Sequence, residues 1–417
     1  MKIAIVGAGI VGVTTAWELA SDGHDIMVFE RRSAAAEETS FANAGVIAPG
    51  YVTPWAAPGM QTKVLRSLLS RHGAVKLRWP LAARDIDWMK RWQRACTLDQ
   101  YLLSRGRLQR LAFYSRQRLH DITEACELSY ERSQGYLVLL RGKRECKLVQ
   151  PGLEVLRQAG AEFRELDAAG ARAIEPELSS ETALAGAIHL PHDEVANCRQ
   201  FALLLKRAAE ALGAQFHFNC DIAPLTRAAP RTLQLATGSP PLAFDAVVVC
   251  AATQSSTLLA PMGLRIPLAP VYGHSISAQI REPLHAPRSA VMDERYKVAI
   301  SRLGMRVRVA GGAELGGSPD VIHPGALRTL YKVLHDWYPG AAQLASGVQQ
   351  WKGARPMLPD GPPLIGASGI PGVWLNLGHG SSGWALACGS ARVLADVIGG
   401  REPGIDVDGL GIERLSS

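Results

Sequence analysis

A run of apolar residues at 2–6 stops at Gly7-Ala8-Gly9-Ile10-Val11-Gly12, and no other feature constrains the chain as much. Residues 2–6 read as a short buried strand, 13–20 as a helix, and 26–29 as a second strand ending at Glu30. Each glycine has its own steric duty. Gly7 permits the tight turn, Gly9 lets a pyrophosphate approach the backbone, and Gly12 lets helix and strand pack closely. The helix start, at Ile10 and Val11, offers unpaired N–H groups and about half a positive charge to an anion. Glu30 follows Gly12 by eighteen residues, with Arg31 beside it. Its carboxylate can accept from a ribose hydroxyl and disfavours a 2′-phosphate. A dinucleotide is expected, and this segment alone leaves FAD and NAD open.

The 417 residues are too many for one ordinary domain, so two or three units are expected. A net charge of +7 suits anionic ligands or an acidic surface such as a membrane. No finger, basic zipper or aromatic RNA-binding signature accompanies that charge, so no nucleic-acid partner is expected. The seven cysteines are scattered without a Cys-x-x-Cys pair, which argues against a disulfide framework or a metal site. They fit a reducing compartment and a cytoplasmic location. The apolar start runs directly into Trp17-Glu18 with no convincing cleavage site, so it reads as part of the fold and not as a signal peptide. No apolar run reaches about 18 residues, so any membrane contact is expected to be peripheral, on the inner face of the cytoplasmic membrane.

Further along, Thr39-Ser40-Phe41-Ala42-Asn43-Ala44-Gly45-Val46 is small, polar and loop-like, and suits close approach to something flat. Residues 63–118 are helical in pattern and strongly basic, with Trp79, Trp88 and Trp92 interleaved. Such a stretch is a candidate for an anionic membrane surface or for a solvated helical face. Residues 245–252 read as a buried strand ending in the small residues Ala251 and Ala252, as expected where a sheet edge meets a nucleotide. Residues 265–280, 296–302 and 305–310 look like strands in series and suggest an antiparallel sheet. Tyr296 and Arg302 share one of these, and an even separation puts them on one face. Residues 352–366 are expected to be an extended, proline-locked loop. Arg355 in that loop can hold a carboxylate through two parallel hydrogen bonds.

Gly378-His379-Gly380-Ser381-Ser382-Gly383 opens a last helix to about residue 398. Its N–H groups can stabilise negative charge developing on a reduced flavin. A second anion-stabilising helix entry suits FAD better than NAD. Cys388 sits among small residues, which points to tight helix packing more than to a covalent flavin link.

Taken together, these segments resemble the flavin-dependent D-amino acid oxidase superfamily, most closely its bacterial D-amino acid dehydrogenase branch. The resemblance rests on the glycine turn with Glu30, on Glu38-Thr39-Ser40-x-Ala42-Asn43-Ala44-Gly45, and on Pro49-Gly50-Tyr51. It continues through Asp293-Glu294-x-Tyr296-Lys297, Arg355-Pro356-Met357-x-Pro359-Asp360-Gly361 and Gly378-His379-Gly380-x-x-Gly383-Trp384. It implies an α/β fold in which a glutathione-reductase-type, Rossmann-like FAD-binding domain is interleaved with an α+β substrate domain built on an antiparallel sheet. The expected FAD-binding segments are 1–60, 195–265 and 350–417, and the expected substrate segments are 61–194 and 266–349. Noncovalent FAD is implied, with Thr39, Ser40, Asn43, Ala44, Gly45 and Val46 near the flavin. Residues 378–383, including His379, Gly380 and Ser381, would face its pyrimidine side, and Ile222 would meet adenine through its backbone. On the substrate side, Arg355 and Tyr296 would grip the carboxylate, with Tyr51, Arg302 and His379 as further contacts. One departure is Phe41, where a small residue is usual.

The implied reaction is oxidation of a D-amino acid at Cα–N by hydride transfer to flavin N5. The imine hydrolyses to a 2-oxo acid and ammonia, and electrons pass to a quinone or another carrier. Binding and orientation supply most of the acceleration, so no general base is named. Alternatives are a secondary amine such as D-proline, a hydroxyproline or sarcosine, glycine itself, a flavin-carrying electron-transfer subunit, and an NAD enzyme.

Overall fold

The computed structural model describes residues 1–158 and 160–415. Strand Lys2–Val6 lies inside a six-stranded sheet, between Ala246–Val249 and Asp25–Phe29. Beyond these come Val373–Leu377 and Leu364–Ala367 on one side and Gln215–His217 on the other. All pairs are parallel except the outermost, Leu364–Ala367 on Val373–Leu377. A parallel sheet needs cover on both faces. Ile3 and Ile5 enter one core with the helices Ile10–Ser21, Leu98–Ala125, Cys198–Ala211 and Gly383–Ile398, while Ala4 and Val6 enter another with Ile222, Leu258 and Met262. A buried carboxylate, Glu18, joins three of those helices: it accepts from Arg118 at 2.6 and 2.9 Å and from Arg392 at 2.7 Å.

The larger sheet has ten strands, counting two that pair off its main path. Along that path it runs Gln349–Met357, Ala269–Gln279, Arg306–Gly316, Val298–Leu303, Ala290–Asp293, Arg132–Leu140, Gly186–Ala196 and Val46–Ile47. Pairing is mostly antiparallel, with parallel pairs at Ala290–Asp293 on Arg132–Leu140 and at Arg306–Gly316 on Val75–Arg78. Helix Pro324–Trp337 closes one face by packing Leu330, Val333, Leu334 and Trp337 against Ile276, Val291, Ile300 and Val309.

Several expectations need correction. The expected loop at 352–366 holds the strand Gln349–Met357 and part of a second, Leu364–Ala367. Pro356 misled because proline looks like a strand breaker, yet this strand is at the sheet edge, where a missing N–H is tolerated. That strand, Val46–Ile47 and the end of Gly186–Ala196 all hydrogen-bond into the larger sheet, so they cross the expected domain division. The basic stretch is three helices, Met60–Leu69, Ala83–Ala95 and Leu98–Ala125, with the strand Val75–Arg78 between the first two. Trp88 and Trp92 stack in a core, whereas Trp79 is 83% exposed.

Candidate cofactor and substrate site

A cavity of about 720 Å³ lies between the two sheets, the size of a pocket for a large cofactor plus a small ligand. Its nucleotide end is the glycine turn. Gly7 has φ +104°, and a Cβ there would lie 2.7 Å from the Cys250 carbonyl oxygen. Gly9 faces open space, with only Ser40 Oγ 3.5 Å from a built Cβ. Gly12 does not line the cavity; its bareness serves packing, since a Cβ would lie 2.9 Å from the Gly7 carbonyl carbon. Glu30 Oε2 accepts from the Ala8 amide at 2.7 Å, which ties the carboxylate to the turn. Arg31 Nε donates to Glu38 at 2.8 Å. Ile222, Ala251 and Ala252 line the same cavity.

The 39–46 loop is fastened from both sides. Ser40 Oγ accepts from the Ile10 amide at 3.0 Å and so caps the first helix. Thr39 Oγ1 donates to the Ala354 carbonyl at 2.6 Å, one residue before Arg355. Asn43 Oδ1 accepts from the Gly45 amide at 2.9 Å, and Ser301 Oγ donates to the Ala44 carbonyl at 2.7 Å. The hydroxyls of Thr39 and Ser40 are thus spent on the edge strand and the first helix and Asn43 Oδ1 on the loop itself, leaving backbone and small side chains, including Val46, toward the cavity. Phe41 stays outside the cavity lining, stacked on Trp351 and beneath Arg199.

At the second helix entry, Gly378, His379, Gly380, Ser381 and Gly383 all line the cavity just before or at the start of Gly383–Ile398. Gly380 has φ +57°, and a Cβ there would stand 2.8 Å from Met357 Sδ. His379 turns its ring inward, Nε2 lying 2.9 Å from Ser390 Oγ, and burial pulls its pKa down to about 3. It is a neutral, buried imidazole whose Nε2 is turned to the last helix. Cys388 is buried in the same helix and does not line the cavity.

Arg355 reaches the cavity from the edge strand. Its Nη1 donates to the Gly312 carbonyl at 2.8 Å, and no carboxylate pairs with it among the described residues. Burial pulls its pKa down to about 10, so it stays charged at neutral pH. A buried cation without a counter-charge is costly, and an anionic ligand relieves that cost. Nearby, the Tyr51 hydroxyl donates to Glu294, Lys297 pairs with Glu294, and Lys297 Nζ stands 3.3 Å from the Tyr51 oxygen. The Tyr136 hydroxyl is buried, lines the cavity and has no hydrogen-bond partner among the described residues. No group of three or more His, Cys, Asp or Glu suited to a metal ion occurs among them either.

Two predicted substrate contacts fall elsewhere. Tyr296 lies in the turn before Val298–Leu303, lines a second cavity, and packs against His72, Arg141 and Lys332. Arg302 donates to the Gly304 and Pro283 carbonyls, away from the main cavity. The even-spacing argument failed because Tyr296 is outside the strand. Sequence reasoning missed Lys297, Glu294, Tyr136, Gly273 and Asn376. Gly273 carried a usable signal: a glycine inside a strand marks close approach of another group.

The cradle fits FAD on its own geometry: bare glycines at the turn, a tethered carboxylate at the second strand, a cavity reaching a second helix entry, and an uncompensated cation at the far end. Comparison with known proteins agrees. The chain is 42% identical over 99% of its length to all of a D-amino acid dehydrogenase from Rhizorhabdus wittichii. It is 44% identical over 99% of its length to 95% of another from Cereibacter sphaeroides. Among solved structures, glycine oxidase from Geobacillus kaustophilus superposes with TM-score 0.75 at 20% identity, covering 99% of this chain and 98% of that one. L-proline dehydrogenase from P. horikoshii gives 0.76 at 18%, covering 100% and 97%. The family model for FAD dependent oxidoreductase matches residues 2–397, and the chain belongs to that family.

Proposed function

We propose that this oxidoreductase oxidises the Cα–N bond of D-amino acids, giving a 2-oxo acid and ammonia after hydrolysis of the imine. Arg355 carries this reading: a buried, unpaired guanidinium in the cavity suits an α-carboxylate. FAD, when bound, supplies the acceptor for the Cα hydride. The chain's own residues supply position. Gly7, Gly9 and Glu30 would hold the adenosine diphosphate end, and the fastened 39–46 loop would hold the ring's surroundings. Arg355 would hold the carboxylate, and Tyr51, fixed on Glu294, would offer a polar contact near the amino group. The full-length likeness to D-amino acid dehydrogenases supports the D-amino acid as substrate class.

The same reading sends electrons to a quinone or another carrier at an anionic membrane surface. No helix of the described residues is long and apolar enough to cross a membrane, so the contact would be peripheral. Much of the basic stretch is spent internally: Arg118 on Glu18, Arg116 on Asp193, and Arg107 and Arg110 on Asp408 and Asp406. Exposed residues of the stretch include Lys63, Arg66, Arg71, Lys90 and Arg94 and the apolar Leu65, Trp79 and Ile86. A basic, tryptophan-bearing surface of this kind suits anionic lipid.

The test is anaerobic flavin reduction across a panel of D-amino acids, imino acids, glycine and N-methyl amino acids. Bleaching by D-isomers is expected, and bleaching only by secondary amines or glycine overturns the substrate assignment. In Arg355→Ala the apparent substrate constant should rise at least tenfold with FAD still bound.

A further inference from the structure

A second cavity, of about 420 Å³, lies between the larger sheet, the start of helix Pro324–Trp337 and the 68–78 segment. It shares Gly311 and His274 with the main cavity, so the two sites meet at one wall. Four cationic side chains, Arg71, Lys76, Arg78 and Arg328, line it against one carboxylate, Glu314. That carboxylate is already committed: it lies 3.1 Å from Arg78 Nε and 2.7 Å from Lys352 Nζ. Arg71, Lys76 and Arg328 have no carboxylate partner among the described residues.

Three further features agree with that excess. His72 is pushed below its ordinary pKa by burial and then by Arg71, Lys332, Arg328 and Lys76, so these cations crowd one place. Gly325 and Ala326 bring the first turn of a fourteen-residue helix to the cavity, and its N-cap residue, His323, makes no side-chain cap. Pro324 has no N–H and the Ala326 amide bonds the His323 carbonyl at 3.0 Å, so the Gly325 amide and the helix dipole are what favour an anion there. Independently, His274 is 3% exposed and its Nε2 has no hydrogen-bond partner. His274 stands in the wall that the two cavities share, and a buried ring nitrogen left unpaired there calls for a ligand.

We infer that this second cavity is a binding site for a compact oxyanion, a phosphate or a small carboxylate, held by Arg71, Arg328 and the start of helix Pro324–Trp337. The inference does not depend on which amine the main cavity takes. Arg71 and Arg328 are exposed, so replacing both leaves the packed interior untouched.

The experiment uses FAD-loaded protein at constant ionic strength, with sodium chloride as the reference salt. Inorganic phosphate in one arm and pyruvate in the other are titrated by calorimetry and by thermal unfolding. Wild type, Arg71→Gln/Arg328→Gln and Arg355→Ala are compared. Saturable binding of either ion to wild type and to Arg355→Ala, weakened at least fivefold in the double variant, is expected, and the responding arm identifies the source. Equal binding by the double variant overturns the inference. So does pyruvate binding lost only in Arg355→Ala, which would place it in the main cavity. So, too, does the absence of any response beyond that to chloride.

Discussion

The Arg355 guanidinium packs over Gly273 so closely that a Cβ built on that glycine would stand 2.7 Å from Cζ. Gly273 faces Gly353 on the edge strand, and Arg355 and Trp351 of that strand lie over the two glycines. The glycine therefore makes room for the cation. Gly273→Ala should displace Arg355 from its bond to the Gly312 carbonyl. A charge-assisted pair is worth about 1.5–3 kcal/mol, so the apparent constant for a D-amino acid should rise roughly 10- to 100-fold. Steady-state kinetics read this, and the flavin-to-protein absorbance ratio should not change. An unaltered substrate constant would show that Arg355 is not the carboxylate anchor.

Tyr51, its proton spent on Glu294, should act as a fixed acceptor for the substrate amino group and not as a titrating base. Burial raises its hydroxyl well above the ordinary tyrosine range, and the nearby Glu294 charge raises it further. The proton therefore stays on across the working pH range. Tyr51→Phe should lower kcat/KM about tenfold, the effect of one good hydrogen bond. The pH profile should keep its shape. Loss of a limb below about pH 10 in the variant would show that the hydroxyl titrates during turnover.

The glycine turn, the first helix and Glu30 were legible because their constraints are local: a tight turn and a close helix–strand contact each demand glycine. The fastening of the 39–46 loop was not, since Thr39 meets Ala354 across 315 residues. The placement of Tyr296 failed for a physical reason. Asp293 and Val298 bracket a tight turn with Lys297 at φ +53°, and alternation holds only within a strand. The basic stretch misled similarly, because partners such as Glu18, Asp193 and Asp408 are distant in sequence and net charge does not reveal pairing. Arg355 was identifiable as a site candidate, yet its strand was hidden by Pro356, Pro359, Pro362 and Pro363.

Glu18 should be a large contributor to stability. Its carboxylate is fully buried and accepts from both Arg118 and Arg392, joining the helices Ile10–Ser21, Leu98–Ala125 and Gly383–Ile398. Removing one member of a buried ionic group leaves the other uncompensated. Glu18→Gln should cost about 3 kcal/mol. Urea unfolding of FAD-loaded protein should show a lower midpoint with an unchanged slope. The substrate constant should not move, because Glu18 does not line the main cavity.

Asp193 should make stability depend on pH in the less usual direction. Burial raises its pKa to about 7 against the partial opposition of Arg116, and its Oδ2 has no hydrogen-bond partner. The folded value lies above the unfolded one, so the native state holds the proton more tightly between about pH 4 and pH 7. The associated stability is complete below that window and is lost as pH rises through it. Asp193→Asn removes the penalty of a buried charge. The variant should match wild type at pH 4 and exceed it at pH 8, by roughly 2–4 kcal/mol. Thermal unfolding of both proteins at the two pH values decides the matter. A variant less stable than wild type at pH 8 would mean that Arg116 holds Asp193 as a carboxylate, with the pair contributing more than its burial costs.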